Sequence, residues 1–573
     1  MFWDKFFEYK HSKLVLSVLL FILGFCILGL PYYKYYSSGF DFDSATAISH
    51  GMVSNIRDFL RPWQLNDWMI VNGDSYAEAF KIPEWGYASY YRPILFNLFG
   101  LEYLSFGLNT FLYYLFNVFL HSVNSILLLN ILNWFFPLSV AFLGALFFLL
   151  NGCIFNVLIF LYAADFFNLL CFLCILIFLK KYLYSNSYKF YLLSSFFFFL
   201  AQFSRDVLIF LPFILFVGVY LFYLKELKFS FDLFWITIKK TYLYFLISFI
   251  YLIILFYRMF LFWGDYKCLT GIALLHWTLN DIGWSFAYCL KDLMGTWFLE
   301  FLNGKIILII ELILFFFIFY RSGKFRILEK SYLLFLIGSI AILSWPIYVA
   351  GYSVRYIYPI APIFIFVILF LVFRKGSLVN KKLFCFFVIF LILIGAGIKR
   401  SSDSVRFLNL RFFYIENDRL IKDFAKENKL NSKSKNKFVF LACPGKINAL
   451  LKNLRLISGS DKIQVYEIGR VWIDGLLKNL EGPIVIKKIK NGFQFVSLDE
   501  NIYFYMDERY FKFMTKYENN VGKFYVNELY KEHPKVKNLT FIFNKEWLKQ
   551  NSDLQFFIWD FKNEQFVKYS VKN

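Results

Sequence analysis

Residues 90–129 read YYRPILFNLFGLEYLSFGLNTFLYYLFNVFLHSVNSILLL, a stretch that is almost wholly apolar or aromatic. From residue 110 onward the apolar run exceeds the ~20 residues needed to cross a hydrocarbon core. Asn117, His121 and Asn124 interrupt it at helical spacing, so the three share one stripe of a helix. In hydrocarbon such a stripe has to face the inside of a bundle, where it hydrogen-bonds neighbouring helices. Gluing of helices is the first reading of these residues, and chemistry is the second.

The rest of the chain follows the same pattern. Hydrophobic residues make up 59% of the 573 and charged residues 18%, with 79 Phe and 40 Tyr. That balance excludes a chain that is mostly a water-facing globule. Apolar segments near 14–33, 110–132, 137–151, 164–179, 189–203, 207–224, 242–262, 304–320, 332–350, 357–373 and 383–399 give about eleven expected spans. The segments at 137–151 and 189–203 are short, which suits tilted or partly re-entrant helices. The first run has a basic start but no small-residue cleavage site after it, so it is read as a retained transmembrane helix.

A formal charge of +21 would suit a nucleic-acid binder, but its distribution explains it otherwise. Lys5, Lys10 and Lys13, then Lys180, Lys181 and Lys189, then Lys225 to Lys240, Arg321 to Lys330, and Arg374 to Lys382 occupy alternate connections. This is a positive-inside pattern, and it calls for no nucleic acid. It places the N-terminus in the cytoplasm and, with an odd number of spans, the C-terminal segment outside the plasma (inner) membrane.

A membrane unit at 1–400 is therefore expected, with a first outer loop at 35–92 and a second large outer loop at 263–302. Residues 401–573 turn rich in Lys, Asn, Glu and Asp and read as a soluble α/β or α+β domain. That segment shows an amphipathic helix near 404–428, an apolar strand at 437–444, a helical stretch to about 457, and strand pairs around turns at 490–492 and 562–564. No glycine-rich phosphate loop and no repeat is present. Cys171 and Cys174 form a C-x-x-C inside an apolar span, which reads as core packing. Cys268 and Cys289 share the second large outer loop and could form a disulfide.

Candidate chemistry gathers on the expected outer side. Asp41 and Asp43, in GFDFDS, open the first outer loop beside the bilayer, where reduced dielectric can tune a carboxylate as a base or a metal ligand. Arg92 lies outside against the charge trend, and its guanidinium suits a bidentate grip on phosphate, with interfacial snorkelling as the plain alternative. Asp165 opens an apolar helix, where a carboxylate needs a partner or a role; the plain alternative is a helix-terminal acid. Arg205 and Asp206 occupy a tight outer turn, and Arg355 precedes Tyr356, Tyr358 and Pro359 in VRYIYP.

Taken in order, these motifs resemble the GT-C class of integral membrane glycosyltransferases, particularly the protein O-mannosyltransferase-like branch. The likeness runs from DFDS through YYRP, FGLN, the spaced His and Asn, and Asp165 to the basic turn before LPF and VRYIYP, over roughly residues 14–375. It implies transfer of a sugar from a polyprenyl-phosphate-linked donor, with a first-loop carboxylate as base. Asp41, Asp43 and Asp165 would then be the acidic site residues, and Arg92, Arg205 and Arg355 would hold the donor phosphate. A divalent metal ion, if one is used, would sit on Asp41 and Asp165. In that branch the first-loop acids are adjacent, whereas Phe42 separates them here and points them to opposite faces of an extended segment. Asp43 is read as the acceptor-facing base, with Asp41 supporting it or binding metal. The competing readings are a transporter or flippase of a lipid-linked saccharide, and a non-catalytic envelope scaffold. A transporter would carry mid-membrane charges and internal symmetry, neither of which is evident.

Overall fold

Among the described residues the apolar runs become helices. The computed structural model describes residues 11–29, 59–64, 91–151, 158, 164–224, 230–263, 327–344, 358–373 and 419–441. In the C-terminal segment it further describes 454–455, 457–460, 463–468, 471–473, 484–498, 502–505, 516–518, 522–529, 535–560 and 565–569. The helices are α1 (Ser12–Leu23, continued by a π-helical stretch Gly24–Gly29), α2 (Pro93–Phe106), α3 (Thr110–Leu132), α4 (Leu138–Leu150) and α5 (Ala164–Ser185). After them come α6 (Tyr188–Ser204), α7 (Leu211–Leu224), α8 (Phe231–Trp263), α9 (Ile327–Leu343) and α10 (Ala361–Phe373).

Local chemistry sets their boundaries. Pro93 stands in the first turn of α2, where its missing N–H costs nothing. Gly107, at φ 56°, lets the chain leave α2. Asn109 then caps α3 by accepting from the Leu112 backbone N–H at 3.4 Å.

Nine of the eleven expected apolar segments coincide, wholly or in part, with helices; those at 304–320 and 383–399 lie outside the described residues. Among the described residues, four helical segments are long and apolar enough to cross a membrane: Ser12–Gly29, Thr110–Leu132, Ala164–Ser185 and Phe231–Tyr257. The other apolar helices among the described residues are shorter, so length and composition carry four spans there.

Between the helices, small residues and interhelical hydrogen bonds do what the hydrophobic effect cannot do in lipid. A Cβ at Gly144 of α4 would come within 2.7 Å of Leu369 in α10 and 2.8 Å of Leu132 in α3, so the three helices meet closely there. Helices α5 and α6 form a hairpin turned at Asn186, whose φ of 55° an Asn side chain tolerates. Ser194 of α6 donates to the Ile175 carbonyl at 2.9 Å, and Tyr244 of α8 donates to Ser194 Oγ at 2.7 Å. Cys171 is buried and Cys174 half-buried in α5, both as free thiols, which is the packing role expected of them. Cys268 and Cys289 lie outside the described residues.

The C-terminal segment contains two sheets. Strands β1 (Lys437–Leu441), β2 (Gln464–Ile468), β10 (Gln555–Asp560) and β11 (Gln565–Lys568) are ordered β11-β10-β1-β2. Here β1 runs parallel to both β2 and β10, and β10–β11 is the hairpin expected around 562–564. A helical segment at 419–427 packs Ile421 and Phe424 onto Phe438, Phe440 and Phe557, giving the expected α/β layering. The second sheet was not foreseen beyond one hairpin. It contains β3 (Val471–Ile473), β4 (Ile484–Ile489), β5 (Gly492–Ser497), β6 (Ile502–Tyr505), β7 (Lys516–Glu518), β8 (Gly522–Leu529) and β9 (Lys535–Phe543). Lys537 and Glu528 pair at 2.7 Å across β8 and β9, and Asn527 and Asn538 bond at 3.0 Å. Such polar residues on short strands hide the two-residue hydrophobic alternation.

Candidate functional site

The α5–α6 hairpin places the start of α5 beside the end of α6. Asp165, in the first turn of α5, and Arg205, the extended residue that ends α6, form an ion pair in which each side chain is only 5% exposed. The partner that an acid at the lip of an apolar helix needs is therefore Arg205. One turn further along α5, Asn168 Nδ2 donates to the Ala201 carbonyl at 3.0 Å and to Ser204 Oγ at 3.4 Å. The Arg205 backbone N–H bonds the same Ala201 carbonyl at 3.0 Å. The last turn of α6 is thus clamped from two directions, which fixes where the guanidinium emerges.

Two other pieces converge on this end. Leu95 and Phe99 of α2 pack on Ala164, next to Asp165, while Tyr91 lies with its ring 6.0 Å from Phe203, two residues before Arg205. Arg92, between those contacts in sequence, is half-buried with its Nε shielded from solvent. From the segment 59–64, Trp63 stacks on Phe199 and Phe203 at 6.1 Å each, and its carbonyl accepts from Tyr91 Oη at 3.0 Å. Oriented to satisfy its neighbours, the Asn97 amide donates to the Phe59 carbonyl at 2.8 Å and accepts from Trp63 Nε1 at 2.9 Å. Residues 59–64 are therefore seated on α2 and α6 at the same end as the ion pair.

A polar chain deeper in the bundle ties this end to Tyr358. His121 Nε2 meets the Leu149 carbonyl at 3.0 Å, and a carbonyl only accepts, so Nε2 carries the proton. His121 Nδ1 therefore accepts from Tyr358 Oη at 2.8 Å. Tyr358 Oη in turn accepts from Asn124 Nδ2 at 3.2 Å, and that amide also reaches the Phe166 carbonyl at 2.9 Å, one residue beyond Asp165. Each donor finds an acceptor with a neutral imidazole, and the chain joins α3, α4, α5 and the start of α10. The stripe read from the sequence thus performs its gluing role in His121 and Asn124.

Of the candidate residues, Asp165, Arg205 and Arg92 are brought to one end of the bundle. Asp41, Asp43 and Arg355 lie outside the described residues, as does the side chain of Asp206. The Asp165 carboxylate, also read from the sequence as a metal ligand, is turned to the Arg205 guanidinium. Among the described residues no three His, Cys, Asp or Glu side chains come together to hold a metal. The sequence reading passed over Glu102 of α2, which is 3% exposed and without a hydrogen bond among the described residues. Burial holds its carboxyl well above the usual carboxylate range. A lone acid within the apolar run 93–106 was the available signal. No protein-family model matches the chain, and no curated protein sequence matches it.

Removing one member of a buried ion pair strands the other, at about 3–5 kcal/mol. Arg205→Met is expected to lower the thermal midpoint sharply in detergent, and Asp165→Asn combined with Arg205→Met to recover much of the loss; a strictly additive double variant would rule out the coupling. Glu102 gives a pH signature. A folded pKa raised above the unfolded ~4.3 contributes stability that is full below ~4.3 and is lost as pH rises through the folded value. Glu102→Gln is expected to flatten that decline and leave the acidic limb unchanged, whereas parallel profiles for the two proteins would contradict a buried neutral acid.

Proposed function

We propose that the chain is a GT-C-like membrane glycosyltransferase of about eleven transmembrane helices. It moves a sugar from a polyprenyl-phosphate-linked donor to an acceptor hydroxyl on the outer face of the plasma membrane. The observation that supports this reading best is the gathering of Asp165, Arg205, Arg92 and the Trp63 segment at one end of the bundle. Guanidiniums at that end suit a phosphate, which they can grip through paired N–H donors. The charges sit at helix ends rather than at mid-span, and that favours an enzyme working at the surface over a transporter.

In the proposed reaction Asp43 removes the proton of the acceptor hydroxyl. The oxygen attacks the anomeric carbon from the face opposite the phosphate. The bond from that carbon to the phosphate oxygen breaks, and its electron pair leaves with the polyprenyl phosphate, so the configuration inverts. Leaving-group charge forms beside hydrocarbon, where water solvates it poorly, and preset guanidiniums offset this without reorganising. The Arg205 guanidinium has five N–H donors, so one edge can stay on Asp165 while another meets phosphate. Arg92 and Arg355 complete the grip, and Asp41 supports the base.

The test is transfer by the full chain in liposomes supplied with a panel of polyprenyl-phosphate sugars. Asp43→Asn is expected to lower transfer by about 10²–10⁴-fold with folding intact, the range for loss of a general base. Asp41→Asn is expected to lose less. Full transfer in both variants would remove the proposed base, and donor crossing the bilayer without sugar transfer would favour the transporter.

A further inference from the structure

Glu102 lies on the seated face of α2. Leu95 and Phe99, earlier on that helix, pack onto Ala164 at the start of α5, and Phe106, four residues after Glu102, sets its ring 5.3 Å from Tyr113 and 5.8 Å from Phe116 of α3. Helical spacing puts Leu95, Phe99, Glu102 and Phe106 on one stripe, so the carboxyl lies in the seam where α2 meets the starts of α3 and α5. It is 3% exposed, and neither oxygen has a hydrogen-bond partner among the described residues. The Tyr113 hydroxyl donates instead to the Gly107 carbonyl at 3.0 Å. Asp165 of α5 and Arg205 of α6 are turned to each other, Arg92 stands about three turns away at the start of α2, and Tyr103 is the next residue of α2. In the segment 59–64 the titratable residue is Arg61, whose side chain lies outside the described residues. A carboxyl so placed keeps its proton, because its charged form would have neither water nor a counter-charge. The helix also has a joint at each end. Arg92 stands at φ −130° and ψ 56° before Pro93, and Gly107 at φ 56°, where a Cβ would meet nothing within 4 Å. Residues at such element ends absorb the torsion changes of a hinged segment.

We propose that Glu102 is a proton-operated latch on α2: protonated, it lets the helix seat on α3 and α5 beside the Asp165–Arg205 pair, and on ionising it drives α2 off that seat. Because Leu95 and Phe99 cover Ala164, the residue before Asp165, release of α2 uncovers this end of the bundle. Off the seat the carboxyl titrates at the ordinary ~4.3, and on it at a raised value. Each opening therefore ends in loss of one proton at a pH between the two values. There the opening constant rises about tenfold per pH unit, and above the seated value it levels off. The latch does not depend on the catalytic reading of that end.

The test is hydrogen exchange of the full chain in detergent micelles at a series of pH values from about 5 upward. Exchange is read by mass spectrometry on peptides from α2, α3 and α5 and corrected for its intrinsic pH dependence. Wild-type protection of α2 is expected to fall by up to about tenfold per pH unit while α3 and α5 keep theirs. A helix of 14 residues off its seat does not hold its own hydrogen bonds. In Glu102→Gln and in Glu102→Met, neither of which can ionise, α2 protection is expected to stay level. Wild-type protection of α2 that does not change with pH, or that falls equally in either variant, would overturn the latch. Loss of protection in α2, α3 and α5 together would also overturn it, since that marks unfolding of the bundle rather than release of one helix.

Discussion

The constraint on which the membrane unit depends is that no polar group in its interior can be left to water. The Asp165–Arg205 pair is where that constraint is hardest to meet. Taking two charges out of water is worthwhile only if each satisfies the other, so the hairpin of α5 and α6 must close with its ends in register. Asn168 holds the same turn of α6 by a second route, and α2 and the Trp63 segment pack on the residues next to both charges. One electrostatic requirement thus organises four pieces of chain at one end of the bundle.

Much of this was legible in the sequence because bilayer thickness and helical period are simple rules. The run from residue 110, the stripe of Asn117, His121 and Asn124, and the turn after Gln202 all lie on helices or helix ends close to where the sequence put them. That Asp165 needed a partner was also legible. Its choice of Arg205 was not, because the pairing depends on how α5 and α6 align, which no local pattern specifies. Tyr358 shows the same limit: it stood in a recognisable motif, but its bonds to His121 and Asn124 span more than two hundred residues.

The C-terminal segment was read less completely. Its first sheet follows from the buried run KFVFL in β1, whose aromatic side chains announce a core strand. The second sheet rests on short strands whose polar faces mask their period, so only the hairpin of β4 and β5 stood out. In the membrane unit, some helices too short to cross alone are held by close contacts such as those around Gly144, so tertiary packing rather than hydropathy sets their place.

The two ends of the bundle differ: a buried ion pair lies at one end, and at the other Lys180 stands over the Trp134 ring. The most direct test of the account is an experimental density map of the full chain with a polyprenyl phosphate bound. The account predicts phosphate density within hydrogen-bonding reach of Arg205 at the end of α6. Density for that phosphate in mid-bundle, or confined to the end that carries Lys180, would contradict it.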